Sequence, residues 1–389
     1  MDADLAAPGR ADQLLDAANR AAEVVAADGD RIEREGRLTD RVVAAIEDAQ
    51  LFRLFLPRSV GGPEADPVSA LLAVEAISRA DGSAGWCAQV SSANSWQLAT
   101  LAPDTVLDML GAGADSRRFS GSARPLGRAV PVPGGYLVSG RWDFASNSAH
   151  AGWYCGACIS EEDGRRRVRA AFFPTSDARI IDTWDVTGLR GTASNDVEVS
   201  DLFVPAERVS AGRHLRAQPG ALYNQRLLMV SNWALTAGVA LGISAGAIDA
   251  FVFLAGEGTA NTVDVALRDR PSVQGAVGRA SALVGAARAY CLDAIGSAWE
   301  SARAGDTGNG LDRPVREARL AITHAMHSAV QVVDLLFHAA GTRSIFARHQ
   351  LERRFRDAHV AVQHGAGLPS HFEAGGRLAL GLPAGAPFW

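Results

Sequence analysis

The spacing of apolar residues changes period twice along this chain, and that alternation constrains its fold more than any other feature. From residue 11 to about 110 the apolar positions recur at helical spacing, over Asp12–Asp28, Thr39–Leu51, Val68–Arg79 and about Ala84–Leu101. A turn-rich break, Pro57 to Pro67 with Gly61-Gly62-Pro63, interrupts them. From about 117 to 215, Gly and Pro punctuate short apolar runs at Tyr136–Phe144, Gly152–Ile159, Val168–Pro174 and Val197–Val204, the pattern of a small β domain. From about 219 helical spacing returns. Leu222–Leu254 is apolar and rich in small residues that permit close helix packing. Pro271 opens a helix reaching about Ala304, Pro314 opens one ending near Gly341, and His349–His364 is stopped by Gly365 and Pro369.

The order predicts an α+β fold, mostly α, without internal repeats: an N-terminal helical domain (1–115), a central β-sandwich or barrel (116–217) and a C-terminal four-helix bundle (218–389). With 48% hydrophobic and 21% charged residues over 389 positions, such a chain can bury a large core. A net charge of -5 gives no electrostatic footprint for nucleic acid or an anionic membrane. Arg165-Arg166-Arg167, beside Glu161, Glu162 and Asp163, reads as a solvated hairpin loop.

The N-terminus lacks the apolar core of a signal peptide, and no apolar run approaches the ~20 residues needed to span a bilayer. The location expected is cytoplasmic. Cys155 and Cys158 form a CxxC, but on a strand positions i and i+3 face opposite ways, so neither a metal site nor a redox pair is expected.

Five segments carry a family resemblance: Phe52–Pro67 with its Leu-Pro and Gly-Gly turn, Arg79-Ala80-Asp81-Gly82-Ser83-Ala84-Gly85-Trp86, Trp142–Trp153, Gly188-Leu189-Arg190-Gly191-Thr192-Ala193-Ser194-Asn195-Asp196-Val197, and Arg356-Asp357-Ala358-His359 with Gln363-His364. Together and in order, they resemble the acyl-CoA dehydrogenase superfamily. The nearer match is its oxygen-using branch, the two-component flavin monooxygenases related to hydroxyphenylacetate hydroxylase and dibenzothiophene monooxygenase. The resemblance implies that the flavin lies between the β domain and the C-terminal bundle, and that the chain is a homotetramer. It also implies that reduced FAD or FMN comes from a separate NAD(P)H-dependent flavin reductase, and that a C4a-hydroperoxyflavin hydroxylates the substrate. The lack of a GxGxxG after a strand agrees with such a division of labour.

The same resemblance assigns candidate residues. Ser146 takes the position of the hydroxyl that contacts flavin N5, and if the strand from Tyr136 continues that far, strand parity points it the way Trp142 and Phe144 point. Trp142 and Phe144 would wall the ring. Ser120, Gly121 and Ser122, between two expected strands, resemble the loop on its pyrimidine side. Gly341, Thr342 and Arg343 resemble a cofactor-phosphate loop. His364 stands where the dehydrogenases commonly carry a glutamate base, and Gln225-Arg226 where another branch carries its glutamate, so both candidate base positions lack a carboxylate. At a helix C-terminus His364 would be favoured as imidazolium and stabilise a flavin peroxide, or as a neutral ring deprotonate a phenol. Trp86, Ser92, Asn94 and Trp233 are candidate substrate contacts, with Trp96 a further aromatic wall.

The lead reading is an aromatic hydroxylase acting on a phenolic, indolic or polycyclic molecule. An N- or S-oxygenase on the same scaffold and a dehydrogenase with a non-carboxylate base are the alternatives.

Overall fold

Side-chain caps decide where three of the N-terminal helices begin. A computed structural model of the chain describes residues 10–113, 115–210, 218–256 and 265–385. Helix α1 spans Arg10–Glu35. Thr39 caps α2 (Asp40–Asp48) by accepting the Val42 N–H at 3.3 Å. Asp66 accepts the N–H groups of Val68 and Ser69 at 3.0 and 2.9 Å and opens α3 (Pro67–Ala80), with Pro67 at the first helical position. Asp81 accepts the Ala84 N–H at 3.0 Å and opens α4 (Gly82–Gln97). A short α5 (Pro103–Gly111), absent from the sequence reading, follows.

Among the described residues, seven strands form one mixed sheet in the order β5-β6-β2-β1-β3-β4-β7. They are β1 (Phe119–Val132), β2 (Gly135–Trp142), β3 (Trp153–Glu162), β4 (Arg165–Pro174), β5 (Arg179–Ile181), β6 (Asp196–Pro205) and β7 (Val209–Ser210). β1 and β3 run parallel, and the other neighbours are antiparallel. Cys155 and Cys158 do face opposite ways: Cys155 packs with Phe119, Trp153 and Phe172, and Cys158 with Trp142, Tyr154 and Phe173. Arg165–Arg167 are exposed as expected, but they extend β4 beside Glu161 and Glu162 rather than forming a loop.

The C-terminal helices are α6 (Leu228–Gly256), α7 (Pro271–Arg303), α8 (Asn309–Ala340), α9 (Gln350–Ala361) and α10 (Ser370–Ala379). α8 starts before Pro314, which the helix accommodates near its exposed N-terminal end. α6 corrects the expectation about apolar runs. It is long enough to cross a membrane, with a mean hydropathy of 1.9 over its most apolar window, yet 67% of that window is buried inside the fold. Its stripe of Gly238, Gly242 and Gly246 lies against α3, where an added Cβ would come within 2.6, 2.5 and 2.5 Å of the carbonyl oxygens of Leu71, Glu75 and Arg79. The helices of both segments therefore share one apolar cluster, from Ala18 of α1 to Ala361 of α9. This shared core holds the end of α9 against the start of α4.

Candidate active site

Two loops with unusual backbone conformations build the site. β2 ends at Trp142, and the chain then turns through Phe144 (φ 55°) and Asn147 (φ 66°). Opposite it, the loop before β6 turns through Leu189 (φ 52°) and Ala193 (φ 43°). The loops clamp each other: Ala145 N–H donates to Asn195 O at 3.1 Å, Asn147 N–H to Thr192 O at 3.0 Å, and the Ser148 hydroxyl to Ala193 O at 3.1 Å. Left-handed non-glycine residues cost conformational energy and gather at functional sites. Ser146 therefore owes its direction to a clamped turn, and the strand-parity argument is corrected.

Ser146 is 5% exposed. Trp86 Nε1 donates to its Oγ at 3.1 Å, its hydroxyl lies 2.7 Å from that of Ser194, and Ser194 lies 2.7 Å from Thr192 Oγ1. Ser120 donates to the Ser146 carbonyl at 2.8 Å. Ser194, Thr192 and the bond from Ser120 were not anticipated, since nothing in the local sequence shows that two separate loops would meet.

His364 reaches the same indole. Its imidazole meets the Trp86 ring edge-on, with centroids 5.5 Å apart and planes at 85°. It follows the end of α9, but it also begins the next 3-10 turn, where its Nδ1 accepts the Ala366 N–H at 3.2 Å. Burial pushes its pKa down to about 4. Of the two states the sequence left open, this favours the neutral ring: desolvation outweighs the helix dipole, and with Nδ1 accepting, the proton of a neutral ring sits on Nε2. The turn is tightly held. His371 donates to Gly365 O at 2.8 Å, Thr323 to Ala366 O at 2.8 Å and His327 to Gly367 O at 2.9 Å.

The sequence segments that looked separate prove to hold one another. Ser83 accepts the Gly191 N–H at 3.1 Å, and Asp357 accepts the Leu189 N–H at 2.6 Å. Buried Arg354 donates to the carbonyls of Ser78, Arg79 and Ala80 at the end of α3. Burial, then the charge of Asp81, push the Asp357 pKa up to about 7.

Among the other candidates, Ser120 bonds directly to the Ser146 carbonyl, and the remainder take the following places. Trp142 is fully buried, donates to Ala157 O at 2.9 Å and packs on Tyr154 and Phe173, so it is sheet core and offers no face to a ring. Phe144 is 61% exposed against Trp184. Ser120, Gly121 and Ser122 belong to β1 rather than to a loop, and a Cβ on Gly121 would come within 2.4 Å of Asn94 Oδ1, so this glycine serves strand–helix packing. Asn94 and Ser122 line a small cleft with Cys155. Ser92 ties Leu51 O and Leu54 N, and Trp96 donates to Leu222 O; both are buried structural contacts. Trp233 stacks near His371 at 5.0 Å and so approaches the His364 turn from α6. Gly341-Thr342-Arg343 form a 3-10 turn at the end of α8, where Arg343 donates to Leu254 O at 3.1 Å. Arg226 pairs with Asp312.

Both family models of the acyl-CoA dehydrogenases match the chain, the N-terminal domain over residues 10–106 and the C-terminal domain over 234–367. The chain belongs to the acyl-CoA dehydrogenase family. It is 33% identical to an indole-3-acetate monooxygenase of Pseudomonas putida, covering 85% of this chain and 84% of that protein. It is 31% identical to the oxygenase subunit HsaA of a flavin-dependent monooxygenase from Rhodococcus jostii, covering 89% and 93%. The crystal structure of a 3-HSA hydroxylase from Rhodococcus sp. RHA1 superposes with a TM-score of 0.85 at 28% identity, covering 97% and 99% of the two chains. Within the family, the chain therefore stands among the flavin-dependent monooxygenases. The chemistry of the donor set suits a flavin edge: the Trp86 indole bonds to the buried hydroxyl of Ser146 and meets the imidazole of His364 edge-on.

Proposed function

We propose that this chain is the oxygenase component of a two-component system, taking reduced FAD or FMN from a separate NAD(P)H-dependent reductase and hydroxylating a planar aromatic small molecule with O2. The observation that carries this reading is the joining of Ser146 and His364 through the single ring of Trp86. Bound reduced flavin supplies the activation of oxygen. Ser146 Oγ accepts a hydrogen bond from the N5 edge of the ring and holds it in place. His364 Nε2–H donates to an oxygen atom of the reacting partner, and its neutral state adds no charge to the pocket. Trp86 excludes water from both groups and, with Trp233, gives the planar apolar wall that an aromatic substrate needs. Phe144 provides exposed aromatic surface where the flavin enters, Asn94 a polar contact, and Gly341, Thr342 and Arg343 a phosphate-binding turn. A carboxylate base is lacking at both family positions, which Gln225 and His364 occupy, and this disfavours dehydrogenation. We assign the protein to the cytoplasm as a homotetramer.

The test is stopped-flow mixing of anaerobic protein and reduced flavin with oxygen, across a panel of phenols, indoles and amines. The reading expects a transient oxygenated-flavin spectrum and a hydroxylated phenol or indole. A dehydrogenase would instead bleach oxidised flavin anaerobically with substrate alone, and that result would refute the reading.

A further inference from the structure

The hydroxyls beside Ser146 form a chain whose direction is fixed by counting hydrogens. Thr192 Oγ1 carries one hydrogen. It lies 2.8 Å from the Leu189 carbonyl, which can only accept. Its 2.7 Å contact with Ser194 must therefore take the hydrogen of Ser194. With that hydrogen committed, the 2.7 Å contact between Ser194 and Ser146 takes the hydrogen of Ser146. Trp86 Nε1, a donor only, gives to Ser146 Oγ at 3.1 Å. The order is Trp86 to Ser146 to Ser194 to Thr192 to Leu189. Ser146, Ser194 and Thr192 are at most 5% exposed, so bulk water does not compete for these bonds. Ser146 is left with one free lone pair and no hydrogen to give.

We propose that Ser194 and Thr192 are positioning residues that lock Ser146 as an acceptor and thereby make the site select reduced over oxidised flavin. The inference rests on the assignment of Ser146 to the N5 edge. Reduced flavin carries an N–H at N5 and matches the free lone pair. Oxidised flavin presents a lone pair at N5, so it meets Ser146 lone pair to lone pair, or binds only by breaking the bond from Ser146 to Ser194. Either outcome leaves a buried polar group unpaired. Ser194→Ala releases the Ser146 hydrogen to face oxidised N5. Thr192→Val releases the Ser194 hydrogen to Ser146, with the same consequence one step removed.

The experiment measures binding without turnover: fluorescence titration of the full-length protein with oxidised flavin in air and with reduced flavin anaerobically, each variant's fold being checked by circular dichroism. The ratio of oxidised to reduced Kd is expected to fall about tenfold in Ser194→Ala and in Thr192→Val, the size of one hydrogen bond. It should stay near the wild-type value in Ser194→Thr, which keeps the hydroxyl. If the wild type binds reduced flavin selectively and both hydroxyl-deleting variants keep the full ratio, the proposal is overturned while the flavin site stands. A loss in Ser194→Thr equal to that in Ser194→Ala assigns a packing role and overturns it too. Failure of the wild type to bind either form defeats the flavin assignment itself. Should Ser194→Ala not fold, Thr192→Val carries the test.

Discussion

Trp86 and His364 meet edge to face, with centroids 5.5 Å apart, although one lies near the start of α4 and the other in the turn after α9. The contact exists because α3 and α6 pack backbone to backbone along a glycine stripe, and Arg354 of α9 caps the end of α3. The same indole donates to Ser146, so one ring relates both polar groups of the proposed chemistry.

His364→Ala should cut product formation by about 10²-fold or more if the ring donates to the reacting oxygen, a usual size for a positioned proton donor. The pH dependence follows from the depressed pKa. The neutral ring persists until the pH falls toward about 4, so the rate should show no acid limb from this residue between pH 8 and 5. Rate profiles of the wild type and the variant check this; a limb near pH 6.5 that vanishes in the variant would contradict it.

Ser146→Ala should bind reduced flavin less tightly and release more hydrogen peroxide per oxygen consumed. The loss in binding should be about 5–10-fold, the size of one hydrogen bond. Oxygen uptake and product measured together give the coupling. Unchanged coupling would remove Ser146 from the N5 edge.

Asp357 predicts a stability effect of opposite sign to the usual carboxylate. Its pKa is raised to about 7, above the unfolded value, so its contribution is present at low pH and is lost as the pH rises through 7. Asp357→Asn keeps an acceptor for the Leu189 N–H and cannot titrate. Relative to this variant, the wild type should lose thermal stability between pH 5 and 8. Parallel melting curves across that range would count against a buried, titrating Asp357.

Gly188→Ala should destabilise the protein by about 1–3 kcal/mol, as overpacking does, and uncouple the reaction. The new Cβ would lie 2.5 Å from the backbone carbonyl of Arg356, which cannot swing away as a side chain could. Gly278→Ala, with open space around it, is the control and should be neutral or slightly stabilising. Denaturant midpoints and coupling ratios compare the two.

The helices and the longer antiparallel strands were legible because apolar periodicity and caps are local signals. Pro271 marks a helix start in the sequence as it does in the structure, and the periodic runs Val68–Arg79 and about Ala84–Leu101 overlap α3 and α4. β5 and β7 were missed because partners distant in sequence define them, as the parallel pairing with β3 defines the first part of β1. Ser146 and His364 could be named from sequence resemblance, but their geometry could not. The turn at Phe144 broke the parity argument, and burial outweighed the helix dipole at His364. Trp142 looked like a cofactor wall because an aromatic strand residue reads alike on either face of a sheet. Its ring instead fills the sheet core, where an added Cβ at Gly127, Gly140 or Gly156 would collide with it.

An anaerobic structure with reduced flavin bound tests the central claim most directly. Ser146 Oγ should lie within about 3.2 Å of N5, an ordinary hydrogen-bond length, with His364 Nε2 facing the same ring system. A flavin bound away from Trp86, or one that leaves Ser146 and His364 on unrelated surfaces, would contradict the account.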